Sequence, residues 1–558
     1  MVKLNSTHEI IGTDVLDHLG LVAATIDKLG IAKQIDKLMP MTNGANTTMG
    51  QRATAMILNG LGFIDDRLYM FPKFLENKPV AKLFGADLKA SDFNDDALGR
   101  FLDEVHAYGE TKLYSEIALP IALRHKLLNK SAHFDTTSLS VYGDYDTDII
   151  DEPIVNERTL ELPNNVKPDY GHAKNKRVDL KQMTLLLATT GASGFPVWME
   201  SHSGNASDKK TLEESAQRMQ KFCKALESAP SLLYVGDSAM YANCVKHSND
   251  LLWLSRVPEN MNLSKELLLR TDIAWTNLSD DYKMYPLEKE YGNVKQRWVL
   301  IYSEHAYIKE IATLDKNISK ELEETNKALW HMSNNLFGCT KDIDNQIKKL
   351  EKKLKFHQIQ YTVAEVAKYI SKGRPKKGET PEKIEYQLNA TLIRNEIAII
   401  NIKLTKGRFI LATNQLDKEE LSDKDILPTY KEQSGTESGF KFIKDDAFEV
   451  DSIFLKKPGR ISALLMIMTL CLMVYSYAQY FMRQQLLAND DTIPSQTNKE
   501  TNKPSMKWVY RLFHGIHVLK LNLNNQMQHI VLNLNDLLRR IVIYFGDFAC
   551  NIYDVTTI

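Results

Sequence analysis

"SAHFDTTSLSVYG" (131–143) and "LKQMTLLLATTGASGFPVWMESHSGN" (180–205) decide how the chain reads. The first alternates apolar and polar residues with period two. The second holds two apolar runs on either side of Gly191-Ala-Ser-Gly194. Period two marks a strand, and paired runs around a glycine-rich turn mark a hairpin. Working outward, "TLEESAQRMQKFCKAL" (211–226) has helical spacing, while "SLLYVGDS" (231–238) and "LLWLSRVP" (251–258) read as short buried strands. Three strands in succession followed by helix, strand, helix and strand give a mixed α/β core.

Two aspartates fall near strand ends in this pattern. Asp135 lies in "HFDTTSL" (133–139), and Asp237 follows the apolar run "LLYVG". A carboxylate held there by rigid backbone faces a crevice, as a metal ligand must. Either residue reads equally well as a turn or helix-capping Asp. A third acid, Glu437, stands in "TYKEQSGTESGFKFIK" (429–444). Tyr430, Gln433 and Glu437 follow the three-four spacing of one helical face, and Lys444 returns seven residues later. Gly435 and Gly439 each cost such a helix about 1 kcal/mol, so packing must hold it. Three carboxylates without thiol or imidazole suit a pair of hard divalent cations. Two such ions about 4 Å apart serve both the attacking and the leaving oxygen of a phosphodiester.

The signature precedes "ISALLMIMTLCLMVYSYA" (461–478), an uncharged run behind Lys456, Lys457 and Arg460. Its length is near the minimum for a membrane span, and its basic flank suits one. Ser462, Thr469, Ser476 and Tyr477 dilute it and no second span exists, so a core helix over a covered sheet is the expectation.

The 558 residues exceed one hydrophobic core, and 43% apolar with 25% charged residues is a soluble composition. A net charge of −1 neither advertises nor excludes a nucleic-acid partner, because footprints are local. Five scattered cysteines without a CxxC pair suit a reducing cytoplasm, and the polar start "MVKLNSTHEIIGTDVLDHLG" gives no export signal. The segments expected are a helical N-terminal domain at 1–127, open to a DNA-reading role, and a core in two parts, 128–258 and 428–488. Between those parts lies an insertion at 259–427, and a linker and C-terminal module follow at 489–558. In the insertion "RWVLIYS" and "RFILATN" read as strands. Between them Ile311, Leu314, Ile318, Leu322 and Leu329, then Ile343, Ile347, Leu350 and Leu354, predict a helical hairpin.

Tyr430-x2-Gln433-x3-Glu437-x6-Lys444 resembles the Tyr-(2)-Arg-(3)-Glu-(6)-Lys signature of the DDE transposases of bacterial insertion sequences. "YGHAKNKRVDLKQMTLLLATTGASGFPVWMESHSGNASDKKTL" (170–212) is similar to that family's second and third strands. The resemblance implies an α/β fold: a ribonuclease H-like mixed sheet with a large α+β insertion, preceded by the helical domain. It implies Asp135, Asp237 and Glu437 as catalytic metal ligands for two Mg2+, with Mn2+ as substitute, and Tyr430 and Lys444 as DNA contacts. The implied activity is endonucleolytic cleavage and strand transfer at the element's ends. The implied partners are double-stranded DNA, both terminal inverted repeats and target, and a second copy in a homodimer. The setting would be the bacterial cytoplasm and nucleoid, away from membranes. Gln433 departs from the family's Arg, offering a neutral amide in place of a charged fork, and is kept as a DNA contact.

Further DNA contacts are expected at Lys174, Lys176 and Arg177 in "HAKNKRVDLK" (172–181), where a solvated charge run is the alternative. Arg374 in "SKGRPKKGE" (371–379) resembles a minor-groove arm, with a basic loop as alternative. Trp298 offers a stacking surface or a core residue. Two rival functions stand beside the transposase: an inactive DNA-binding relic, and a serine esterase built on Ser238 of "GDS". Neither GxxxxGK[ST] nor GxGxxG occurs, so nucleotide hydrolysis is not indicated.

Overall fold

The computed structural model describes residues 8–41, 45–62, 71–142, 145, 166–171, 177–191, 193–226, 231–247, 251–370, 377, 380–444, 455, 457–523 and 526–556. Two compact units divide the chain. One comprises 1–255, 291–294 and 425–558, and the other 256–290 and 295–424.

The first unit opens with strand β1 (His8–Val15), where the sequence reading has only helices. Its partner is near the other end of the chain, so no local pattern announces it. Among the described residues six α-helices follow between Leu19 and Tyr108, and another spans Glu110–Arg124. The core sheet is built from β2 (Ser131–Ser140), β3 (Gln182–Thr190), β4 (Phe195–Ser203), β5 (Leu233–Gly236) and β6 (Trp253–Arg256). Their order is β4-β3-β2-β5-β6, antiparallel through β4, β3 and β2, then parallel through β5 and β6. Helices α1 (Asp208–Lys224) and α2 (Ser238–His247) belong to this core, as the sequence pattern predicts.

The signature forms two short helices, α3 (Ile426–Lys431) and α4 (Ser434–Ile443). The apolar run lies in α5 (Pro458–Ala488), long and apolar enough to cross a membrane by composition. It is buried all round, from Ile461 through Leu470 to Leu486, against helices Met49–Gly60 and Asp95–Tyr108 and against β4. Its basic flank is used internally: Arg460 donates to both oxygens of Asp103 at 2.7 and 2.6 Å. Those hydrogen bonds hold the Asp103 carboxyl below its usual range. The chain then forms β7 (His517–Leu523) and β8 (Gln526–Leu532). Strand β7 pairs antiparallel with β1, so the C-terminal segment completes the N-terminal part and is not a separate module.

In the second unit, strands Val294–Ser303 and Arg408–Thr413 pair antiparallel, as expected from "RWVLIYS" and "RFILATN". Helices Glu304–Ser333 and Thr340–Glu351 also appear. Their apolar residues do not zip together. Leu329, Ile343 and Ile347 pack with Ile359 and Leu388 of a long hairpin, His357–Lys368 and Lys383–Arg394. The helical hairpin is therefore corrected to helices laid on a strand pair.

Both faces of the core sheet are covered. Glu200 of β4, 1% exposed, meets Arg218 of α1 in two hydrogen bonds of 2.9 and 2.7 Å. Trp198 Nε1 donates to the same carboxylate at 3.1 Å, and His202 Nε2 stands 3.0 Å away. Burial alone would raise the Glu200 carboxyl, but His202 and Arg218 outweigh it and lower it from 4.5 to about 2. A depressed carboxyl stabilises the fold above its unfolded value, and that contribution fades as pH falls through the folded one. Stability should therefore drop between pH 4.5 and about 2. Glu200→Gln, which strands Arg218, should cost about 3–5 kcal/mol in urea melts at neutral pH.

Candidate functional site

Strands β2 and β5 run parallel with Ser131, Ala132 and His133 opposite Leu233, Tyr234 and Val235. Continued by two residues, that register sets Asp135 beside Asp237, one residue past the end of β5. Residues in register on neighbouring strands share a face. Asp135 lies within β2, and Asp237 lies between the end of β5 and the start of α2. Both are half-buried. Asp135 Oδ1 accepts from the Thr136 amide at 2.7 Å, and Asp237 Oδ1 from the Ala239 amide at 2.9 Å at the start of α2. The Asp237 carbonyl also accepts from Ser255 Oγ at 2.6 Å, fixing the turn to β6.

Helix α4 lies over that same face. Leu187 of β3 pairs directly with Asp135, so the two point the same way. A Cβ on Gly439 would stand 4.0 Å from Leu187 Cδ1 and 3.0 Å from Leu472 Cδ2 of α5. A Cβ on Gly435 would stand 3.1 Å from the Cα of Gly194, in the β3–β4 turn. The glycines do not break the helix; they let it approach sheet and core helix closely. Between them Thr436 Oγ1 donates to the His133 carbonyl at 3.0 Å and meets Thr189 Oγ1 at 2.6 Å. Just ahead, Glu432 Oε2 lies 3.4 Å from Ser131 Oγ and 3.5 Å from His133 Nε2. The His133 side chain holds the Glu432 carboxyl below its ordinary value. From Glu432 to Gly439 the chain thus runs along β2 from Ser131 toward the level of Asp135.

One continuous helical face carrying Tyr430, Gln433, Glu437 and Lys444 is not what forms. The α3–α4 joint is tightened by three-residue hydrogen bonds, Gln433 to Tyr430, Gly435 to Glu432 and Thr436 to Gln433. Gln433, 9% exposed, is buried in this joint and leaves little of its amide at the surface. Glu437 is exposed, whereas Tyr430 and Lys444 are half-buried. Arg177 is exposed and forks onto Asp179 at 2.9 and 2.8 Å. Lys174, Lys176 and Arg374 lie outside the described residues. Trp298 is fully buried with Nε1 donating to Gln296 at 2.9 Å, so it is core and not a stacking platform. Among the described residues no histidine hydrogen-bonds Ser238.

Carboxylates alone are oxygen donors, the chemistry a hard divalent cation takes. Among the described residues, however, no three His, Cys, Asp or Glu side chains stand close enough to hold an ion. The strand that carries Asp135 and the helix that carries Glu437 share a face of the sheet, without the three carboxylates being gathered there. Sequence reasoning missed the groups that dock the helix, His133, Glu432 and Thr436. All sit inside the quoted motifs, but their pairing joins segments some 300 positions apart.

A family profile described as "Transposase DDE domain" matches residues 135–474, more than half of the chain. The chain belongs to the DDE transposases. Residues 11–119 of this transposase match a domain of unknown function (DUF4277). No curated protein matches. Among solved structures, the piggyBac transposase synaptic complex with hairpin DNA aligns at a TM-score of 0.35 and 9% identity, over 89% of this chain and 79% of that one.

Thr436→Val removes both docking hydrogen bonds and leaves Thr189 Oγ1 without this partner. It should cost about 1–3 kcal/mol in chemical denaturation, with Thr436→Ser retaining most of the stability.

Proposed function

We propose that the protein cuts DNA at the ends of an insertion sequence and joins those ends to target DNA. The observation that carries this is the Asp135–Asp237 register under the helix that bears Glu437, inside a DDE transposase domain. The sheet order β4-β3-β2-β5-β6 supports a ribonuclease H-like core.

In this reading water attacks the phosphorus at the element's end and the P–O3′ bond breaks, freeing a 3′-hydroxyl. That hydroxyl then attacks a target phosphodiester. Each step forms one P–O bond as it breaks one, so no ATP is needed. Asp135, Asp237 and Glu437 would hold divalent cations, Mg2+ by preference. When bound, these ions supply charge stabilisation at the attacking and leaving oxygens. Glu437, exposed on its helix, closes toward the aspartates when DNA and metal arrive. Tyr430 and Lys444 orient the DNA backbone beside it. Bringing two ends together calls for a homodimer, acting on the nucleoid.

A DNA-binding relic is the second reading, favoured by the buried Gln433 in the family's Arg position and by the ungathered acids. Cleavage of duplexes carrying the element's inverted repeats separates the two. With Mg2+ the wild type should nick its ends, and EDTA should stop it. Asp135→Asn, Asp237→Asn and Glu437→Gln should each lower the rate by about 10³-fold or more while leaving end-binding nearly unchanged. A wild type that binds and never cuts is a relic.

A further inference from the structure

Helix α4 is held to the core sheet at two points, one on either side of Gly435, and the two differ in kind. Thr436 is the neutral one, a hydroxyl set between the His133 carbonyl and Thr189. The other is a carboxylate at the α3–α4 joint. Glu432 Oε2 stands 3.4 Å from Ser131 Oγ and 3.5 Å from His133 Nε2, and those two groups are 2.9 Å from each other. Asn129, just ahead of β2, adds a side-chain hydrogen bond to the same carboxylate. His133, Ser131 and Asn129 together, His133 foremost, hold that carboxyl below its ordinary value against partial burial. The His133 ring is 1% exposed, and among the described residues its Nδ1 is buried without a hydrogen-bond partner. Its hydrogen bonding is therefore committed, through Nε2, to Ser131 and Glu432.

One anchor fixes a point on a helix, and two fix the direction of its axis. Ser131, His133 and Asp135 alternate along β2 and share one face of it. Each two-residue step along a strand advances about 6.7 Å, and five helical residues rise about 7.5 Å. A chain anchored at His133 through Glu432 therefore carries residue 437 about one step further along β2, toward the level of Asp135. Gly439 follows the same line, since its Cβ position is 4.0 Å from Leu187, the residue paired with Asp135. We infer that Glu432 is a positioning residue for the reaction: with Thr436 it sets the line of α4, and so where Glu437 stands over β2 when DNA is cut. The inference rests on the proposed cutting activity for the part it gives Glu437.

The test is a double-mutant cycle on the full chain, scored by Mg2+-dependent cleavage of duplexes carrying the element's inverted repeats. Glu432→Ala should lower the maximal rate about 10–100-fold, as a misplacement of about 1 Å does, with half-saturating DNA changed less than about twofold. Glu432→Gln keeps an acceptor for Ser131 and Asn129 and should recover most of the loss. In a Glu437→Gln background Glu432→Ala should slow cutting no further, because the group it positions has gone. Amide hydrogen exchange over 434–443 should quicken in Glu432→Ala, a readout that needs no catalysis. Ser131→Ala, which removes one partner and leaves the carboxylate, should repeat the pattern on a several-fold scale, so the cycle closes even where Glu432→Ala fails to fold. A wild-type rate in a folded Glu432→Ala overturns the proposal. So do losses that multiply in the Glu437→Gln background, which mark a residue serving stability alone. A wild type that binds the duplexes and cuts none overturns the cutting activity before any variant is compared, and this proposal with it.

Discussion

The hydroxyl of Thr436, bonded to the His133 carbonyl and to Thr189, ties a helix to a strand across some 300 residues of sequence. Glu432 adds a second tie to the same strand through His133 and Ser131. These contacts act on the strand that carries Asp135, whose parallel neighbour β5 leads into Asp237. Everything proposed about the site depends on that arrangement. A one-residue slip of β2 would send Asp135 to the other face, toward Glu200 and Arg218.

The two faces of the sheet are chemically distinct for this reason. One buries Glu200 in a closed set of partners that keeps its charge and offers no open position. The other is covered by a helix rich in close glycine contacts, which leaves Glu437 exposed and the aspartates half-buried. A buried, fully partnered carboxylate serves the fold, whereas Asp135, Asp237 and Glu437 keep part of their surface open to solvent. The long helix α5 supports both roles by filling the space behind α4, with Leu472 against Gly439.

Much of this was legible in the sequence. Period-two alternation and the glycine turn gave β2, β3 and β4, and the uncharged run gave a buried helix. What local pattern cannot carry is pairing. Strand β1 exists because β7 completes it, and Ile10 and Ile11, both exposed, gave no core signal. In the second unit the alternation of "HQIQYTVAEV" (357–366) was present and was overshadowed by the charged helices before it. The signature's three-four spacing reads as one helical face, but the tight turn at the α3–α4 joint buries Gln433 and leaves Glu437 exposed, so that face does not form.

The most direct measurement of whether three distant carboxylates form one metal site is Fe2+-directed hydroxyl-radical cleavage of the protein in its DNA complex. Iron substituted for magnesium cuts the backbone nearest to where it sits. If the three acids share one site, cuts should cluster around Asp135, Asp237 and Glu437 together, all suppressed by excess Mg2+. Cuts confined to one of these segments, or falling elsewhere in the chain, would contradict it.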